Sequence, residues 1–161
     1  MASFITTNET VDRNRVGALA ETPAQIDSYV AEADTLEGVF VVPGSNERGA
    51  IVPASAAAVL LALGATLYQE MHQPGGAAGE HYGDNELMSV CRKGVVYVRA
   101  EGAPTIGADV YVRHASGGGG AVLGAVRVDD DTSSAAKLPG AMFVSAAAGG
   151  MAKVEMNLPQ K

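Results

Sequence analysis

Residues 151–158, MAKVEMNL, decide the fold class. Ala152, Val154, Met156 and Leu158 fall on one side of an extended chain, and Met151, Lys153, Glu155 and Asn157 on the other. Successive side chains of a strand point to opposite faces, so this strict alternation reads as a strand with one buried and one wet face. Gly149-Gly150 in front of it marks the turn that feeds it.

The same rhythm runs back along the chain. KGVVYVRAEGAPTIGADVYVRH (Lys93–His114) reads as strand, turn, strand. Leu87–Cys91 and Val95–Val98 are predicted to form a hairpin around Arg92-Lys93-Gly94, with Gly94 supplying the positive φ of the turn. Val110–His114 is the next strand. Ala121–Val128 and Met142–Ala146 follow, set apart by SGGGG (Ser116–Gly120) and VDDDTSS (Val128–Ser134). Upstream, Val39–Val42 is a β-branched run closed by Pro43-Gly44, and SNERG (Ser45–Gly49) is a loop. Ile51-Val52 before Pro53 reads as a short edge strand. A turn at Ala54–Ala58 and a fully buried strand at Val59–Tyr68 are expected next. Short strands at this spacing, with 20 glycines to turn them, predict an all-β fold: a small sandwich or barrel of short antiparallel strands.

Two segments depart from the rhythm. Residues 1–22 read as an extended arm, with Phe4, Ile5, Val11 and Val16 scattered without period. The β-rich domain is assigned to residues 23–161. In TPAQIDSYVAEAD (Thr22–Asp34), Pro23 is in place to open a short helical turn. The second segment, His72–Asn85, is a long Gly-rich loop and a candidate contact surface.

A chain of 161 residues suits one domain. Its formal charge is −7, concentrated at the start: residues 1–40 hold seven acids against Arg13 and Arg15. No cluster of Lys and Arg suits a nucleic-acid backbone, so DNA or RNA binding is not expected. Cys91 is the only cysteine, which fits synthesis in a reducing cytoplasm. The opening MASFITTNET lacks the basic and apolar regions of a signal peptide. Residues 49–69 carry no charge, but Pro53, Gly64 and the abundance of Ala mark a buried core segment and not a membrane span.

Little in the chain offers reaction chemistry. His72 and His81 share the Gly-rich loop with Glu80 and Asp84. A zinc site needs three or four ligands held rigidly, which such a loop does not provide. Three consecutive acids, Asp129–Asp131, do not match the alternating ligands of a calcium loop and read as a charged turn. SGGGG lacks the Lys-Ser/Thr and helix start of a phosphate loop. Cys91 reads as a small core residue. No metal or other cofactor is expected.

In order along the chain, IDSYVAEAD (Ile26–Asp34), LEGVFVVPGSNERGAIVP (Leu36–Pro53), YGDNELMSVCRKGVVYVRAE (Tyr82–Glu101), IGADVYVRH (Ile106–His114) and GAMFVSAAAGGMAKVEMNLP (Gly140–Pro159) resemble the structural cement, or head-decoration, proteins of tailed bacteriophages. The Ala-rich Ala54–Leu63 segment departs from that pattern. The resemblance implies a β-rich domain without enzymatic activity that binds the outside of an assembled capsid. Its expected partners are the phage major capsid protein and further copies of itself, as a homodimer or homotrimer. Its expected place is the outer capsid surface of the virion, after synthesis in the host cytoplasm. Phe4, Ile5 and Val11 in the arm, with His72, His81 and Tyr82 in the loop, are the expected contact residues. Two other classes remain open on the sequence. One is a β-sandwich that binds carbohydrate or a cell surface through Tyr82, Tyr97 and Tyr111. The other is an enzyme using His72, His81 and a neighbouring acid.

Overall fold

The computed structural model describes residues 15–68, 81–116 and 121–159. Along them the chain forms β1 (Leu19–Ala31), β2 (Thr35–Leu36), β3 (Phe40–Pro43), β4 (Gly49–Ile51), α1 (Ala56–Val59), β5 (Gly64–Thr66), β6 (His81–Tyr82), β7 (Leu87–Arg99), β8 (Asp109–Arg113), β9 (Val126–Arg127), β10 (Ala135–Phe143) and β11 (Met151–Asn157). The fold is all-β, as expected. Ala152, Val154, Met156 and Leu158 are all buried, while Glu155 and Asn157 are exposed.

Strand pairing runs β1-β4-β3-β5-β7-β11-β10-β8-β9, and β1 also pairs with β7. The first five strands therefore close into a ring. The remaining strands nearly close a second ring, because Val126 of β9 returns to Ala100, just past the end of β7, and its carbonyl accepts from the Glu101 N–H at 2.8 Å. The pairings are antiparallel except for β1 with β4 and the Ala100–Val126 bridge.

Each ring has its own core. Ala31, Val41, Ala50, Leu63, Tyr82, Met88 and Val90 fill the first. Val96, Val98, Val110, Val112, Val126, Leu138, Phe143, Val154 and Met156 fill the second, together with Phe40, Ala65 and Cys91. Neighbouring residues of one strand thus enter different cores: Phe40 and Val41 on β3, Val90 and Cys91 on β7. These strands are apolar on both faces because both faces are covered.

β7 is the strand the two rings share, and here the sequence reading needs correction. No hairpin forms at Arg92-Lys93-Gly94; Leu87–Arg99 is one continuous strand. β1 pairs along one edge, from Val30 opposite Leu87 to Leu19 opposite Val96. On the other edge β5 takes Val90 and Cys91, and β11 takes Lys93 to Arg99. Two long flanking strands outweigh a local turn signal. Gly94, at φ +136°, is a kink in the strand. A Cβ there would lie 3.0 Å from the Cβ of Ala24. Across the kink the parity of the buried side changes, from Cys91 to Val96 and Val98.

Three further expectations change. Pro23 opens no helical turn; it lies within β1, which takes in residues 19–22 of the expected arm. There the register against β7 slips between Glu21 and Gln25, and an irregularity is where a strand tolerates a missing N–H. β4 is an interior strand, held between β1 and β3. In place of a long strand over Val59–Tyr68, Ala56–Val59 makes one helical turn and β5 keeps only three residues. Ala favours helix, and Ser55 caps the turn through its Oγ, which accepts from the Ala58 N–H at 3.1 Å. Residues Ala62–Leu67 are buried, so this part of the uncharged segment belongs to the core, whereas Ala54–Ala57, Leu60 and Leu61 are exposed. Gly64 permits the packing: a Cβ there would meet the Cys91 carbonyl oxygen at 2.1 Å. No helix among the described residues is long and apolar enough to cross a membrane.

Candidate functional site

The expected contact residues fall in three places. Phe4, Ile5, Val11 and His72 lie outside the described residues. His81 is half-buried in β6, paired opposite Leu36. Tyr82 is buried in the first core, where its hydroxyl donates to the Leu67 carbonyl. Burial pushes its hydroxyl pKa well up. Tyr82 therefore braces the first ring and presents no surface, while Tyr97 and Tyr111 are half-buried.

Reactive groups are locked away. The Cys91 thiol is buried and donates to the Lys93 carbonyl at 3.3 Å; burial raises its pKa to about 11, so it is a neutral thiol near pH 7. Asp129 and Asp131 are taken up by arginines. Glu101 accepts from Arg113 through both oxygens, at 2.7–3.0 Å, and from the Val122 N–H at 3.1 Å. Asp131 accepts from Arg113 at 2.6 Å and pairs with Arg127 at 2.8 Å, and Asp129 accepts from Arg127 at 2.7 Å. This network pins the turn in which Asp131, Thr132 and Ser133 all hold positive φ, at 44°, 56° and 70°. Such conformations persist where the surroundings over-determine them.

Two features face outward. The first is β1. Beyond its pairing with β7, its other edge meets β4 only at Val30 and Ala31. Apart from Arg48 Nη1 donating to the Ser28 carbonyl at 3.3 Å, residues 20–29 present that edge without a strand partner among the described residues. Ile26 lies on β1, 44 % exposed, and Leu87 begins the neighbouring β7, 60 % exposed. Far along the chain, Ile106 is 74 % exposed on a loop tied by the Gly107 N–H to the Phe143 carbonyl, beside exposed Met142.

The second feature is a cleft of about 370 Å³ at the mouth of the first ring, lined by Asp27, Tyr29, Pro43, Arg48, Leu63, Arg92 and Pro159. Met88, Val90 and Arg92 share one face of β7, so Arg92 continues the inward row of the first core, one step along from Val90, the residue that Asp27 of β1 faces. Arg92 Nε donates to Asp27 Oδ2 at 3.0 Å. Sequence reading missed this pair. Its signal was an arginine at an inward position of the alternation Met88, Val90, Arg92.

The first ring closes on itself and the cluster of Glu101, Arg113, Arg127, Asp129 and Asp131 is paired internally, an arrangement suited to holding surfaces in place. A family model described as structural cement protein (E217 gp24/Pam3 gp6) matches residues 7–157. Among solved structures, a chain of the capsid of Myoviridae phage XM1 superposes with a TM-score of 0.74 at 19 % identity, covering 89 % of each chain. The head fibre gp8.5 N base of bacteriophage phi29 superposes at 0.43 and 12 % identity, over 86 % of this chain and 99 % of that one. No curated protein sequence matches.

Proposed function

The chain belongs to the phage structural cement protein family, and from that premise we propose that it grips the outer surface of an assembled head and holds neighbouring major capsid subunits together. As a member of that family it is a structural component of the virion capsid. The observation that carries the finer reading is the pair of rings sharing β7, the first closed and the second nearly so. Stiffness limits the ordering entropy lost on binding, so a rigid frame can devote its contacts to affinity.

In this reading the protein has no catalytic role and does not bind nucleic acid. It is made in the host cytoplasm and joins the head as a homodimer or homotrimer. The arm, with Phe4, Ile5 and Val11, lies on capsid protein or on a neighbouring copy, and the loop carrying His72 and His81 adds contacts. Backbone hydrogen bonds to a sheet edge would give an arm its affinity. A ligand that binds the assembled shell and not its free parts stabilises the shell by mass action, and several linked contacts multiply the effect through effective concentration.

The test is addition of purified protein to heads that lack it, followed by thermal disassembly and image reconstruction. External density bridging capsid subunits and a raised disassembly temperature are expected. Density confined to the interior, or no binding, rejects the reading. Removing residues 1–14 should weaken co-sedimentation with heads; undiminished binding rejects the arm's part.

A further inference from the structure

The cleft at the mouth of the first ring holds two guanidinium groups against one carboxylate. The Arg92 side chain is 93 % buried, with 7 % relative exposure. Its Nε is satisfied by Asp27, yet its Nη2 is buried without a hydrogen-bond partner among the described residues. Buried polar groups are nearly always paired, and an unpaired cationic donor is the costly kind. Arg48 stands across the cleft, exposed, at φ +61°. Among the described residues that line the cleft Asp27 is the one acid; Glu47, next to Arg48 in the loop, is exposed outside that lining, and the Glu32 carboxylate is engaged by the Ser45 and Asn46 N–H groups at 2.8 and 2.7 Å. The cleft therefore keeps an excess positive charge on a protein of net charge −7. Leu63, Pro43 and Pro159 wall it with apolar surface. A charge-assisted hydrogen bond between a guanidinium and a carboxylate is among the strong ones. Its volume is at the small end of ligand pockets, and barrel mouths are common places for them.

We propose that this cleft is a carboxylate-binding site, filled on the assembled head by an acidic side chain of a major capsid subunit, with Arg92 and Arg48 as its ligands and Asp27 holding Arg92 in place. The choice of a capsid side chain rests on the function proposed above; the carboxylate chemistry rests on the cleft alone. The volume of about 370 Å³ accommodates a single Glu or Asp side chain.

The experiment has two arms. In the first, the full-length ¹⁵N-labelled chain is titrated with N-acetyl-glutamate amide and, separately, N-acetyl-glutamine amide, to about 50 mM, the range suited to a single weak contact. Selective movement of the Arg92 Nε–Hε signal by the glutamate probe alone is expected, abolished in Arg48→Gln. Equal movement by both probes, or movement spread over all arginines, overturns the site. In the second arm, Arg48→Gln and Arg92→Lys are bound to heads lacking the protein. Because Arg48 is exposed, Arg48→Gln keeps the fold, checked by its thermal transition, and should bind about tenfold more weakly. Unchanged affinity, with the first arm positive, overturns the capsid side chain as occupant and leaves a free carboxylate in its place. Failure of the unmodified protein to bind heads defeats the proposed function instead, and the first arm still decides the carboxylate site.

Discussion

Two arginines, Arg92 and Arg113, are buried to almost the same degree and live in opposite circumstances. Arg113, 3 % exposed, sits beside the second ring with its guanidinium met by Glu101, Asp131 and the Ala115 carbonyl. Arg92, 7 % exposed, sits at the mouth of the first ring and among the described residues its guanidinium bonds Asp27 alone, itself 38 % exposed. The difference separates two uses of a buried charge. Where every donor is satisfied from within, the group fixes a loop and is spent on structure. Where one donor is left over beside an opening, the group keeps an unmet hydrogen bond, which is the basis of the carboxylate site proposed above.

Breaking the satisfied side should have the largest effect. Arg113→Met takes one of two arginines from Glu101 and Asp131, leaving Arg127, and should destabilise the fold by about 3 kcal/mol in denaturant unfolding. A loss under about 1 kcal/mol would show that solvent already carries these charges. Glu101→Gln, which weakens bonds to Arg113, Arg127 and the Val122 N–H together, should cost about 2 kcal/mol by the same measurement. Arg92→Met should cost only about 1 kcal/mol, because Asp27 can rehydrate and the methionine extends the Met88–Val90 row. If Arg92→Met matched Arg113→Met, the distinction between the two would fall.

The smallest effect concerns pH. Hydrogen bonds from the Ser45 and Asn46 backbone hold the Glu32 carboxyl below its ordinary 4.5, and the hydrogen bond from Arg127 holds Asp129 below its ordinary 3.8. Depressed carboxyls contribute stability that is present above the unfolded-state pKa and lost as pH falls through the folded one. Unfolding midpoints should therefore be flat above about pH 5 and fall below about pH 4. Carboxyl chemical shifts of Glu32 and Asp129 that titrate at or above their ordinary values would contradict this.

How much of this could be read from the chain depended on range. The alternation of Met151–Leu158 needs only its own residues, and it gave β11 correctly. The order of motifs gave the family. The rings were not legible, because their closure joins Leu19 to Val96 and Ala100 to Val126, and no local pattern encodes such partners. Gly94 misled for the same reason: a glycine that relieves a crossing strand looks like one that makes a turn. Ser55 before an Ala run carried the signal for α1, yet Pro53 and Gly64 suggested too little room. Of the expected contact residues, Tyr82 became core because its aromatic ring was worth more inside the first ring than outside. The cleft went unread since Asp27 and Arg92 are 65 positions apart.

The shared strand also imposes a timetable on folding. β7 needs β1 from far upstream on one edge and β11, the last described strand, on the other. Loops of that span are slow to close. While the ribosome is still making residues beyond Arg99, half of β7 waits as a bare apolar edge, with Val96 and Val98 uncovered. The interval between emergence of β7 and arrival of β11 is thus the period of greatest danger from self-association, and expression at lower temperature or slower synthesis should change soluble yield more than any surface substitution.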